Sequence, residues 1–177
     1  MYTCPTIETE RLILRPFRED DLDAFTAMMQ TPQVRASLYV PDTYNEENAF
    51  ESMERWLGQW ALRNTGQWAL EERATGTFVG RAGSHWPLRE GWPGIEIGWT
   101  LHPDHWGNGY ATEAGAAAIV HSFATHDVDE LYSVILEENT ASQAVAKRLG
   151  FTPWELRTLS HFPLKPHMIW RLQRAET

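Results

Sequence analysis

The stretch HPDHWGNGYATEAG, His102 to Gly115, sets Gly107 and Gly109 around Asn108, between a tryptophan and a run of small, helix-forming residues. Two glycines just before a helix cost backbone entropy without adding side-chain packing. Either the segment is a plain turn, or its backbone N–H groups are kept open for a ligand. A helix N-terminus leaves about four N–H groups unpaired and carries partial positive charge. Glycine lets a phosphate approach those groups without striking a Cβ. Ile95–Leu101 reads as a strand feeding this turn, and Ala111–Thr125 as the helix that leaves it. The N–H groups of Gly107, Asn108, Gly109, Tyr110, Ala111 and Thr112 can then converge on a diphosphate. Two familiar phosphate loops fail on spacing. The dinucleotide fingerprint wants a small third residue where Thr112 stands, and a Walker loop wants Gly-Lys-Ser/Thr, which the chain lacks.

Outward from this stretch, hydrophobic periodicity switches between period 2 and period 3.6. Arg11–Phe17 reads as a strand with Leu12 and Leu14 on one face, and Arg18–Gln30 as a helix stopped at Thr31 and Pro32. After a loop around Pro41 and Asp42, Phe50, Met53, Trp56, Leu57, Trp60 and Ala61 recur at helical spacing up to Asn64. QWALEE and TFVGRAGSH read as strands joined by RATG. Beyond the opening stretch come a strand Glu130–Leu136, a helix in NTASQAVAKRL, and strands in GFTPWELR and PHMIWRL. The order specifies an α/β or α+β domain with a mixed sheet and a parallel crossover near its centre. No repeat or linker divides the 177 residues, so one domain over 1–177 is expected.

Composition narrows the function classes. No apolar run approaches the roughly 20 residues of a membrane helix, and the N-terminus lacks a signal layout. A single cysteine, Cys4, forms no internal disulfide, so a cytoplasmic setting is expected. The net charge of -9 disfavours nucleic acid and mildly favours cationic partners. Most of the nine tryptophans lie between Trp56 and Trp106, either as core packing or as the lining of an aromatic pocket. His102 and His105 are three apart, but Pro103 separates them and no carboxylate cluster completes a site, so no metal is expected.

The pattern Trp106-x-x-Gly109-x-Ala111 resembles the acetyl-CoA diphosphate loop of the GNAT N-acetyltransferases, Gln/Arg-x-x-Gly-x-Gly/Ala. Tryptophan at the first position, in WGxGYATEA, is similar to the RimJ/RimL-like branch that acetylates ribosomal-protein N-termini. IETERLILRPFREDDLDAF and NTASQAVAKRLGF resemble the same branch in order. The resemblance implies a single GNAT domain of α+β class, a splayed, mixed, mostly antiparallel sheet flanked by helices. It implies acetyl-CoA as cofactor, with pantetheine entering between the strands Ile95–Leu101 and Glu130–Leu136. Leu101 is then expected to pair its backbone with pantetheine amides, the Trp99 N–H to polarise the thioester carbonyl, and Asn139 and Ser142 to contact the cofactor arm.

Acetyl transfer to an amine needs a neutral nitrogen. Glu96, the carboxylate on the strand facing the thioester, is the candidate base, directly or through water; its other reading is a solvent-facing or arginine-paired glutamate. Many GNAT enzymes carry a tyrosine acid where this chain has Ala146, and Ser142 is the replacement hydroxyl, or else a helix-start residue. Trp86, Trp92, Tyr39 and Tyr44 are expected to wall the acceptor site. The expected partners are a primary amine and, through an edge strand or tryptophan-rich surface, a second copy of the chain. The missing tyrosine keeps open a non-catalytic acyl-CoA sensor or interaction module.

Overall fold

The computed structural model describes residues 2–38, 40–160 and 162–175, and of 162–164 the backbone only. The strands are β1 (Ile7–Glu8), β2 (Leu12–Arg15), β3 (Gln67–Glu72), β4 (Phe78–His85), β5 (Glu96–Leu101), β6 (Glu130–Leu136), β7 (Thr152–Leu159) and β8 (Phe162–Gln173). They form one sheet in the order β1-β2-β3-β4-β5-β6-β8-β7. The helices are α1 (Leu22–Gln30), α2 (Pro32–Leu38), α3 (Glu46–Arg63), α4 (Tyr110–Thr125) and α5 (Thr140–Arg148). All strand pairs are antiparallel except β5 with β6, which the crossover through α4 makes parallel.

Local chemistry accounts for most boundaries. The Asn45 side chain accepts from the Asn48 N–H while Asn48 accepts in return from the Asn45 N–H, a reciprocal cap that starts α3. Asn64, in the left-handed region at φ 55°, ends it. One departure from expectation is α2. Pro32 ends α1 as read, but it also opens a new helix, because a first-turn proline loses no hydrogen bond and has a helical φ already.

Strand alternation divides the interior between the two faces of the sheet. Trp68 and Leu70 join Leu12, Leu14, Ile97 and Leu131 in a core completed by Ala114 and Ala118 of α4. Ala69, between them, faces the opposite cluster of Phe17, Phe25, Met28, Met53 and Trp56 from α1 and α3. Fully burying a side chain of this kind contributes about 1.5–3 kcal/mol.

The sheet is open in its middle. β5 and β6 are in register only at Glu96 and Tyr132, where the Tyr132 N–H donates to the Ile95 carbonyl at 2.9 Å. The His102 N–H donates to the Val79 carbonyl at 3.0 Å. With the pairing of β4 and β5, that bond sets the alternation of the ladder. The backbone groups of Trp99 and Leu101 consequently point away from β4, into the gap beside β6.

Candidate active site

On one side of the gap lies a cavity of about 510 Å³. Its lining includes Trp99, Leu101, Trp106, Gly107, Gly109, Tyr110, Ala111, Thr112, Asn139 and Ser142, ten of the eleven residues expected at the cofactor. Asn108 is not among the lining residues. Gly107 and Gly109 both take φ +80°, which glycine adopts without strain. A Cβ on Gly107 would meet nothing within 4 Å, and one on Gly109 only the tip of Arg11 at 3.4 Å. The glycines are therefore required first by the turn itself, and they leave its open side bare. The first bond of α4 runs from the Glu113 N–H to the Gly109 carbonyl. Among the described residues, no acceptor serves the N–H groups of residues 107–112. The five of these donors that belong to lining residues, around an open, left-handed turn at a helix start, fit an anionic diphosphate.

The turn is braced from behind. Arg11 donates to the Asn108 carbonyl at 2.7 Å and to Glu113 Oε2 at 2.8 Å, and its backbone N–H reaches Glu113 Oε1. Burial would raise the Glu113 pKa, but hydrogen bonds from Thr9 and Arg11 outweigh it and hold the carboxyl below the usual range. The Trp106 indole donates to the Leu101 carbonyl at 2.9 Å. Trp106 thus ties the loop to β5, and that carbonyl is already taken, leaving the Leu101 N–H as its free backbone group on the gap. The Asn139 side chain is committed as well: its oxygen caps α5 at the Ser142 N–H, and its nitrogen donates to the Ser37 carbonyl. The Ser142 hydroxyl has no partner among the described residues and lines the cavity.

On the other side of the gap a second cavity, about 270 Å³, is lined by Glu96, Trp99, Asn139 and Ser142 and by several side chains the sequence reading did not single out. These include Arg55, Arg81, His85, Arg89, Ser133 and His167. Glu96 Oε2 lies 3.4 Å from His85 Nδ1, directly across the β4–β5 ladder. Burial brings the Arg81 guanidinium down to about 10 and lowers Arg89, which Arg55 lowers further by like charge. Burial also lowers His167. Of the expected acceptor wall, Trp92 lines this cavity and Trp86 does not; Trp86 packs under Arg63 at 4.2 Å. Tyr44 packs into the α1–α3 core, and Tyr39 lies outside the described residues. Ala146, where a tyrosine acid would stand, is fully buried.

The chain matches the family described as the acetyltransferase (GNAT) domain over residues 11–152. It is 26% identical over 147 residues to the uncharacterized N-acetyltransferase YoaA of Bacillus subtilis, covering 83% of this chain and 82% of that protein. Among solved structures, an acetyltransferase from Agrobacterium tumefaciens superposes with a TM-score of 0.82 at 30% identity, over 98% of this chain and 97% of the other. RimL, a ribosomal L7/L12 α-N-protein acetyltransferase in complex with coenzyme A, shares the fold at a TM-score of 0.78 and 16% identity, over 96% and 98% of the two chains.

Proposed function

The chain belongs to the GNAT acetyltransferase family, an N-acetyltransferase that uses acetyl-CoA, and from that premise we propose that it acetylates a primary amine by direct attack within a ternary complex. One observation carries the reading. The two cavities share Trp99, Asn139 and Ser142, so a donor entering from one side and an amine from the other meet at the same residues. The donor cavity holds the unpaired N–H groups; the acceptor cavity holds Glu96.

Acetyl-CoA supplies an activated acyl group whose thiol, with a reference pKa near 8.5, leaves readily. The protein's own groups do the rest. Glu96 takes the proton from the acceptor ammonium, directly or through water. The Trp99 N–H, aimed into the gap, donates to the developing oxyanion. As the C–N bond forms and the C–S bond breaks, the nitrogen sheds its second proton, and the unpartnered Ser142 hydroxyl relays it to the departing sulfur. A peptide α-amino group, with a reference pKa of about 7.7–8.0, asks less of Glu96 than a lysine amine at about 10.4. The acceptor is a protein N-terminus or a small-molecule amine, and the WGxGYATEA motif supports kinship with the RimJ/RimL-like branch.

The test is thiol release from acetyl-CoA against N-terminal peptides, amino acids, polyamines and aminoglycosides. Acceptor-dependent release is expected with one class. Acetyl-CoA binding without release for any amine would replace the transferase with a sensor, the reading that Ala146 keeps open.

A further inference from the structure

The acceptor cavity has an imbalance of charge that acetyl transfer alone does not require. Arg55, Arg81 and Arg89 all line it, and Glu96 is the only carboxylate among its lining residues. None of the three arginines forms an ion pair with a described residue. Arg15 shows what the same chain does with a buried guanidinium elsewhere: it is paired to Asp21 at 2.8 Å and to Glu71 at 2.7 Å. The chain has 24 acidic residues against 15 basic ones, so the shortage of carboxylates here is local. An unpaired guanidinium in a poorly hydrated site is unfavourable, and it stays charged.

The arginines are also held in place. Arg81 donates to Gln67 Oε1 at 2.8 Å and lies over the Trp56 ring at 5.1 Å. Arg89 lies over Trp92 at 5.3 Å. Stacking and one fixed bond pre-orient guanidinium groups of this kind, the arrangement that favours bidentate capture of a carboxylate. Arg81 pairs with Thr100 and Glu96 with His85, so Arg81 and Glu96 lie on the same face of the sheet. Their backbones are roughly 14 Å apart along the strands at about 3.4 Å per residue. Gly98 lies between, where a Cβ would meet nothing within 4 Å. The cavity thus sets Glu96 beside an open floor and within electrostatic reach of both Arg81 and Arg89.

We infer that the acceptor is a small amine bearing a carboxylate within a few atoms of its nitrogen, the carboxylate held by Arg81 and Arg89 with Arg55 at the rim. The inference rests on the acetyl-transfer reading for the role of the cavity. A polyamine or aminoglycoside would bring further positive charge to three unpaired guanidinium groups. A volume of about 270 Å³ suits one small molecule or one terminal residue. Free amino acids and peptides beginning with Asp or Glu share this chemistry.

The experiment compares acetyl-CoA turnover on free amino acids, on peptides beginning with Asp or Glu, and on the amide counterpart of each. Carboxylated acceptors are expected to exceed their amides by about 10- to 100-fold in kcat/KM, the worth of one charge-assisted hydrogen bond. Arg89→Gln is expected to raise KM for the carboxylated acceptor at least tenfold more than for its amide, with Arg89→Lys intermediate. Whichever pool is turned over identifies the source of the carboxylate. Amides matching their acids, or an equal KM change for both in Arg89→Gln, would overturn the inference while transfer itself stood. A calorimetric titration of the N-acetylated acids, in the presence of coenzyme A, reads the anion site without turnover. Binding that Arg89→Gln removes supports it even if no amine reacts, a result that fells only the transfer reading. No binding by any acid overturns it.

Discussion

On one side of Trp99 the cleft is walled by the backbone of Gly107 and of residues 109–112; on the other it is walled by the side chains of Arg55, Arg81, His85, Arg89 and Glu96. The first wall comes from one continuous stretch, braced by Arg11 and by the Trp106 indole. The second draws on α3, β4, the loop between β4 and β5, and β5 itself, with Ser133 of β6 and His167 of β8 behind them. A ligand common to a whole family can be held by backbone, which is insensitive to most substitutions. A ligand peculiar to one protein has to be recognised by side chains, and these can change while the fold stays.

The largest effect should come from breaking the backbone wall. Gly109→Trp forces a bulky residue to φ +80° and puts an indole beside the unpaired N–H groups. Calorimetry should show acetyl-CoA binding weakened at least about 100-fold, a loss of near 3 kcal/mol. Retained binding would mean that the open turn is not the diphosphate site. Substitution in the other wall should separate chemistry from binding. Glu96→Gln should lower kcat by about 10²–10³-fold through loss of the base, with acetyl-CoA affinity kept within about twofold. Ser142→Ala, at the junction of the cavities, should lower kcat about tenfold. Full turnover in both variants would remove the proposed acid and base together.

The smallest effect asks whether the acceptor wall titrates separately from the core. Burial lowers the pKa of both His121 and His167 from 6.5. His121, half-buried, packs edge-on against both Trp60 and Trp68 beside the core, whereas His167 lines the second cavity. Each is held neutral in the folded protein, so the unfolded chain binds protons first as pH falls. Their contribution to stability is present above pH 6.5 and is lost as pH drops towards the folded pKa. Melting temperature should fall between about pH 7.5 and 5.5. His121→Gln should flatten that fall if the core governs it, and His167→Gln if the cavity does.

The sequence exposed the two walls unequally. Gly107, Gly109 and the helix after them lie within a few residues of one another, so the open glycine turn was legible as a local pattern. The strands were legible from alternation, as at Leu12 and Leu14, both fully buried. Pro32 was read as a stop and is also a start, because proline's effect depends on which side of it the helix lies. Leu101 and Asn139 line the cavity, but the hydrogen bonds that occupy the Leu101 carbonyl and the Asn139 side chain come from Trp106 and from the ends of α5 and α2. The arginines left no local signal. Arg55 is one charged residue on an amphipathic helix and Arg89 one residue in a loop. Arg81 alone carried a hint, as a charge inside an otherwise small and apolar strand. Only the register of β4 against β5, and α3 packed across them, puts these residues around one space.

The single registered pair between β5 and β6 has a consequence for how the protein breathes. In most sheet proteins the central strands hold the amide hydrogens that exchange last, because opening them requires global unfolding. Here the amides of Trp99 and Leu101 lie in the fifth of eight strands, yet they face a water-accessible slit with no neighbouring strand to bond them. They should exchange with deuterium like loop amides, while those of Thr100 and Gly98, bonded to β4, exchange slowly. A single strand would then carry fast and slow protons at alternate residues, and whatever fills the slit would erase the alternation.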